Sequence, residues 1–393
     1  MYDVIVVGAR CAGASTAMLL ARKGHSVLLV DRATFPSEIP HGHFIHMHGP
    51  RRLASWGLLD AVLDTGVPPI TSFTLDFGDF PLTGIDLVVD GVPLGAGPRR
   101  AQLDKVLVDA AVDAGAELRE GFPVQEFLGD GDRIVGVRGP GGTERAHVVV
   151  GADGRNSSLA KTVDAPVREG VPTLTCWYFS YWSGVAASGL ELTVRNGRAT
   201  FVHPTNDGLL TVFAAWPSSE LPKVKADIEG EFMAVVDAVP GLGERLREGR
   251  REERFYGATQ LPNFLRKPYG PGWALVGDAG CHKDPFMALG VCDALRDAEL
   301  LTEALHEGLS GARPMEDALA GYERSRDEQT LPWYQLNVGA ARLGPPPPDV
   351  QALREALRGN QEDTNLFYMA REGMIPPERF FNPENIQRLM GQV

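Results

Sequence analysis

The chain is 393 residues long, with 44% hydrophobic and 23% charged residues, which excludes a disordered, collagen-like or coiled-coil protein. Lys plus Arg number 38 against 51 Asp plus Glu, a net charge of −13. That balance opposes nucleic acid and anionic membranes over a broad face, while one local basic pocket for a phosphate group remains compatible with it. Four cysteines (Cys11, Cys176, Cys281, Cys292) are spaced widely and form no CxxC pair. Reduced thiols in a cytoplasmic protein are therefore expected, without a zinc site or a disulfide framework. The chain opens on Met1-Tyr2-Asp3 with no signal-peptide pattern, and no apolar run of about 18 residues predicts a membrane span. The length suggests two or three domains, two being favoured.

Residues 3–7 (DVIVV) predict a buried parallel strand that Gly8 ends. A helix over 12–23, stopped by Gly24, and a strand over 26–31 complete a βαβ unit. Residues 34–50 are irregular and crowd His41, His43, His46 and His48. A helix follows over 51–64, short strands over the Gly- and Pro-rich 70–94, and an amphipathic helix over 101–114 ended by Gly115. Residues 122–150 predict strands turning at 129–132 and 139–142. From about residue 165 the character changes, and the runs in 173–216 predict a mostly antiparallel sheet. Helical stretches over 222–248 precede a buried strand at 273–276, long helices over 290–307 and 314–341, a Pro-rich linker at 344–349 and a helical tail. The fold class is α/β: a Rossmann-like nucleotide domain from discontinuous segments (1–70, 99–165, 263–343), an inserted, mostly antiparallel sheet domain (71–98, 166–262) and a helical C-terminal tail (344–393).

Three motifs carry chemistry. In Gly8-Ala9-Arg10-Cys11-Ala12-Gly13, Gly8 permits a tight bend and Gly13 close packing of helix on strand. The helix N-terminus behind them offers N–H groups to a pyrophosphate, and Asp31 at the end of the second strand can accept both ribose hydroxyls of an adenosine. A lone glycine pattern is a weak signal, and a purely structural turn is the other reading; the strand–helix–strand context with Asp31 strengthens the first. Arg10 stands where the fingerprint has its second glycine. Either its guanidinium pairs with phosphate oxygens, or it turns away toward substrate or an acidic neighbour. In the second motif, residues 148–157 (VVVGADGRNS), a buried strand runs through an Asp-Gly turn into a helix opened by Asn or Ser. In the third, residues 273–280 (WALVGDAG), a strand delivers Asp278, and the helix opened by residues 285–292 presents N–H groups to negative charge on a bound ring.

In this order and spacing the motifs resemble the FAD-dependent monooxygenases of the para-hydroxybenzoate hydroxylase class, whose superfamily also holds flavin halogenases and geranylgeranyl reductases. The resemblance covers roughly residues 1–330. It implies an FAD site comprising Gly8, Arg10, Ala12, Gly13, Asp31, Arg32, His43, Arg100, Asp153, Gly154, Gly277, Asp278, Pro285, Gly290 and Val291. Asp31 would hold the adenosine ribose, Arg100, Asp153 and Gly154 the pyrophosphate, and Asp278 the ribityl chain. The N–H groups of Gly290 and Val291 would face the N1–C2=O edge of the flavin, and Arg10 is a candidate for phosphate or flavin contact. The loop Gly280-Cys281-His282-Lys283-Asp284-Pro285 departs from the family's usual GDAAH followed by Pro, Gly and Asn. Met287 replaces a common Gly and Cys292 a common Asn, and the halogenase signature Trp-x-Trp-x-Ile-Pro is absent.

The candidate catalytic residues are His282, Asp284 and Arg10; Cys281 reads as a small buried thiol or a nucleophile, and Lys283 as equally an exposed cation. Trp177, Phe179 and Tyr181 alternate on one strand face and, with Phe286, are the candidate substrate residues; packing against a helix is the other reading of that strand. In the family the inserted sheet roofs the flavin; if these rings line the pocket, the substrate is a flat aromatic or otherwise apolar small molecule. The four histidines are expected to bind no metal, His43 being favoured for a pocket. Phe367, Tyr368, Phe380 and Phe381 pack the tail onto the body or close one end of the cavity. The resemblance implies that NAD(P)H, or a partner flavin reductase, reduces FAD, and that dioxygen then forms a flavin C4a-(hydro)peroxide that hydroxylates or epoxidises the substrate. A monomer or homodimer is expected. Two alternatives stay open: an FAD-dependent reductase or dehydrogenase without oxygen insertion, and a flavin-binding redox sensor or carrier without turnover.

Overall fold

A computed structural model describes residues 1–39, 42–187 and 189–391; His41 lies outside the described residues. The principal elements, in chain order, are β1 (Tyr2–Val7), α1 (Cys11–Arg22), β2 (Val27–Val30), β3 (Phe73–Asp76), β4 (Pro81–Gly84), α2 (Arg100–Asp113), β5 (Glu117–Arg119), β6 (Gly142–Gly151), β7 (Thr175–Ser183), β8 (Leu190–Arg195), β9 (Arg198–Pro204), β10 (Leu210–Pro217), β11 (Trp273–Leu275), α3 (Gly290–Leu309) and α4 (Met315–Ala340). The fold is α/β, and the chain divides into two compact units.

The first unit comprises Met1–Ile39, Arg99–Pro172 and Pro262–Val338. Its sheet runs β5-β2-β1-β6-β11, with every neighbouring pair parallel. Helices cover such a sheet on both faces, so its strands read as continuous apolar runs: Val4, Ile5 and Val6 are fully buried. Beyond β6 the strands Arg133–Gly139 and Glu126–Asp130 extend the sheet as antiparallel hairpins. The core holds Ile5, Leu28, Val137, Val149, Leu159 and Leu275.

The second unit comprises Pro40–Pro98, Thr173–Leu261 and Gly339–Val393. Its main sheet is ordered β7-β10-β9-β8-β3-β4, antiparallel throughout except for the parallel pair β8 and β3. One face packs on the helices Leu221–Ala226, Ile228–Asp237 and Leu242–Glu248. Cys176, Tyr178, Trp182, Val212, Ala214 and Trp216 of that face share a core with Phe232, Val236 and Leu246. The tail helices Pro348–Leu357, Gln361–Arg371 and Pro383–Met390 belong to this unit. Buried Tyr368 donates to the Leu82 carbonyl at 2.7 Å, and Arg354 to the carbonyls of Leu75 and Phe80 at 3.0 and 2.7 Å, which pins the tail on β3 and β4. Phe367, Phe380 and Phe381 pack among themselves at centroid distances of 4.9 to 6.1 Å.

Some local expectations change. The helix expected over 51–64 is two, Gly49–Ser55 and Leu59–Leu63, because Gly57 takes a φ of +75° between them. The expected 344–349 linker is shorter, since Pro348 opens a helix at a position where its missing N–H costs nothing. Glu117–Arg119 forms a parallel edge strand that its short, polar sequence does not announce. The histidine segment, expected to be irregular, makes one isolated bridge between Ile45 and Ala96. Among the described residues no helix is long and apolar enough to cross a membrane.

Candidate functional site

Strand register brings the three motifs of the first unit together. Val30, Val7, Gly151 and Leu275 pair across β2, β1, β6 and β11, so four strands end level. The residues beyond that row are Asp31, Gly8, Ala152-Asp153 and Val276-Gly277-Asp278. A crevice outside the carboxyl ends of parallel strands is where open α/β sheets bind ligands. Gly8 has a φ of +104°, and a Cβ on it would stand 2.4 Å from the Ala152 carbonyl oxygen. A Cβ on Gly13 would stand 1.7 Å from the Gly8 oxygen, and one on Gly277 would stand 2.8 Å from the Ala12 Cβ. Each motif thus needs a glycine where it meets another.

The carboxylates at these strand ends are held by backbone and short side chains. Asp31 accepts from the Ala9 N–H at 2.7 Å and the Ala33 N–H at 2.8 Å, which leaves further lone pairs on both oxygens for ribose hydroxyls. Asp153 accepts from the Ser158 N–H and hydroxyl at 2.6 and 2.7 Å through Oδ2, while its buried Oδ1 has no partner. Gly154 beside it has a φ of +76°. Arg32 is exposed. Two of these features fit an FAD: a glycine cradle at the strand ends, and an acid, Asp31, with lone pairs left for ribose hydroxyls.

Arg10 takes the second of its two expected courses. Its guanidinium donates to Asp104 at 2.6 Å and to the Ser37 hydroxyl at 3.1 Å, with its carbon 5.4 Å from the Phe35 ring centroid. Arg100 donates to the same carboxylate at 2.9 Å. Asp104 is fully buried and so binds both cations. Asp104 is not among the expected site residues, although its i,i+4 spacing from Arg100 is a signal visible in the sequence. The Cys11 thiol also donates to Asp104, and burial pushes its pKa up to about 12, which makes it inert.

The third motif leads into α3. A Cβ on Gly290 would stand 3.9 Å from Asp278 Oδ1, and Asp278 acts electrostatically on Arg100. Gly290, exposed, and Val291, buried, belong to the first turn of this 20-residue helix, where N–H groups lack intrahelical partners. The loop before α3 is built by its own polar groups. His282 Nδ1–H donates to the Pro262 carbonyl, and its ring stacks on Phe264 at 5.7 Å. Asp284 caps the turn Pro285–Met287 by accepting from the Phe286 N–H at 3.1 Å. Asn337 on α4 accepts from the Met287 N–H and donates to the Asp284 carbonyl, and Asn263 accepts from the Asp284 N–H. Single asparagines carry no sequence signal for this clamp.

Lys283 is buried rather than an exposed cation: it pairs with Asp293, which also binds Arg296, and Arg296 binds Asp297. Burial alone would lower the Lys283 pKa; the charge of Asp293 outweighs it, so the net shift is upward. Burial raises the Cys281 pKa, which leaves the thiol protonated and disfavours the nucleophile.

The second unit carries an aromatic face. Trp177, Phe179 and Tyr181 share the side of β7 opposite the helices, as strand alternation requires. Phe179 stacks on Phe213 at 4.6 Å, and Phe201 meets Phe213 at 6.0 Å. His43 belongs to this face and not to the unit with the FAD motifs. A carbonyl can only accept, so Nδ1–H donates to Gly97 at 3.2 Å and Nε2 accepts from the Tyr181 hydroxyl at 3.1 Å. That pairing uses both ring nitrogens of His43. His46 binds Glu372 at 2.7 Å. Phe286, expected with the substrate residues, lies buried in the first unit, whereas Trp177, Phe179 and Tyr181 belong to the second.

The family description "FAD binding domain" matches residues 1–221, more than half of the chain. Rifampicin monooxygenase of Rhodococcus hoagii is 26% identical over 83% of this chain and 68% of its own length. Digeranylgeranylglycerophospholipid reductase 2 of Methanopyrus kandleri is 26% identical over 87% of this chain and 86% of its own. The structure of a myxobacterial chondrochloren halogenase superposes with a TM-score of 0.79 over 100% of this chain and 96% of that one; at 22% identity it shows the shared fold. The chain belongs to the FAD-binding-domain family and is an FAD-dependent oxidoreductase.

Proposed function

We propose that this protein is a monooxygenase that inserts one oxygen atom of dioxygen into a flat aromatic or apolar small molecule, with NAD(P)H as electron source. The observation that carries the reading is the ring-lined face of β7, β9 and β10, where Phe179, Phe213 and Phe201 offer an apolar platform. The likeness to rifampicin monooxygenase supports it. Bound FAD would supply electron transfer and oxygen activation. Asp31 would hold the ribose, the backbone at Asp153 and Gly154 would support the pyrophosphate, and Asp278 would hold the ribityl chain. The Gly290 and Val291 N–H groups would favour negative charge on the reduced ring. His282 and Asp284 would position the loop before α3, since their polar atoms bind the loop and its neighbours.

A reductase reading has its own support: the unusual loop at 280–285 and the likeness to the Methanopyrus enzyme. Oxygen uptake separates the two. NAD(P)H oxidation by the FAD-loaded protein, stimulated by an aromatic compound and matched by oxygen consumption, supports the monooxygenase. Product formation under strict anaerobiosis supports the reductase and removes the first reading.

A further inference from the structure

Register on the aromatic face aligns three polar side chains in one row. Tyr181 of β7 pairs with Thr211 of β10, and Thr211 pairs with His203 of β9. The adjacent row on the same face is Phe179, Phe213 and Phe201, because directly opposed residues point to one side. The Tyr181 hydroxyl is satisfied by His43. The other two are not: Thr211 Oγ1 and His203 Nε2 have no hydrogen-bond partner, and both residues are fully buried. Buried polar atoms are nearly always paired, so two orphans side by side point to a missing partner.

The ring of His203 is fixed with one nitrogen used and one bare. Its Nδ1–H donates to the Pro204 carbonyl at 3.0 Å, and this edge lies so close to Gly97 that a Cβ there would stand 2.3 Å from Nδ1. Nε2 is therefore an acceptor. Burial pushes the His203 pKa down to about 4, which keeps that acceptor neutral and unprotonated at pH 7. Thr211 beside it brings a hydroxyl that can donate or accept.

We infer that His203 and Thr211 form the polar edge of a site for a flat aromatic molecule bearing an O–H or ring N–H. The ligand's hydrogen donates to His203 Nε2, a ligand hydroxyl oxygen accepts from Thr211, and the ring lies along Phe179, Phe213 and Phe201. This rests on the aromatic-substrate reading under Proposed function and narrows it: ligands lacking the donor leave two buried polar atoms unpaired, and that difference discriminates between otherwise similar rings.

The test is calorimetric binding of 2-naphthol and 2-methoxynaphthalene to the oxidised, FAD-loaded protein, without reductant or oxygen. The wild-type protein is expected to bind the naphthol about tenfold more tightly. His203→Phe should reduce that ratio to within about twofold. The near-isosteric Thr211→Val should weaken naphthol about threefold to tenfold and leave the ether unchanged, and it decides the matter if His203→Phe does not fold. Equal affinity of the two probes for the wild-type protein overturns the inference, as does a tenfold ratio that survives in the folded variants. Failure of both probes to bind overturns the aromatic-substrate reading with it. Loss of the oxygenase reading alone leaves the binding contrast standing.

Discussion

Asp278 and Arg10 sit beside the same strand ends and are expected to respond differently to substitution. Asp278 adjoins the first turn of α3 and acts on Arg100. Asp278→Ala should therefore lose about tenfold or more in FAD affinity and purify largely without flavin, read as flavin absorbance per protein. A fully loaded, yellow variant would remove Asp278 from the site. Arg10 is anchored on Asp104. Arg10→Gly should shift FAD affinity by less than about threefold, whereas Arg100→Ala should cost about tenfold or more, both measured by flavin fluorescence titration. Equal losses would return Arg10 to the pyrophosphate. His203 gives a pH signature. Its folded pKa, about 4, lies below its ordinary 6.5, so the unfolded state binds more protons between those values. Its contribution is complete above pH 6.5 and declines as pH falls toward 4, by up to about 3 kcal/mol. Denaturant unfolding of wild-type protein and His203→Phe over that range should show the variant's stability falling less; parallel curves would contradict the assignment.

At the scale of elements, glycine contacts fix how strands and helices meet. A Cβ on Gly13 collides with backbone that no rotamer change can move, at 1.7 Å from the Gly8 oxygen. Gly13→Ala should destabilise the protein by about 3 kcal/mol or more and release FAD, read from thermal unfolding with and without added flavin. Such contacts explain what was legible. β1, β6 and β11 announced themselves because strands buried on both faces are continuous apolar runs, each followed by a glycine motif. The face shared by Trp177, Phe179 and Tyr181 followed from alternation alone. The Asn263 and Asn337 clamp, the shared carboxylate of Asp104 and the row joining Tyr181, Thr211 and His203 were hidden, since each depends on residues far apart in sequence. The short strand Glu117–Arg119 is specified by its pairing with β2 rather than by its own residues.

At the scale of the molecule, two units divide the labour: one carries the FAD motifs, the other the aromatic face. The discontinuous assembly of the first unit has a consequence. Its sheet is closed by β11, late in the chain, so the third motif joins the first two only when residues far apart in sequence have folded together. Ligand binding to that assembled state stabilises it by mass action, and FAD at about a hundred times its dissociation constant should add about 2.7 kcal/mol. The function proposed for the whole molecule is decided by the origin of one atom. The purified, FAD-loaded protein would be supplied with NAD(P)H, 18O-labelled dioxygen and an aromatic compound it binds, and the product examined by mass spectrometry. A monooxygenase places one labelled atom in the product for each NAD(P)H oxidised. A product without label, formed equally well when oxygen is excluded, would contradict oxygen insertion and make the protein a reductase or dehydrogenase.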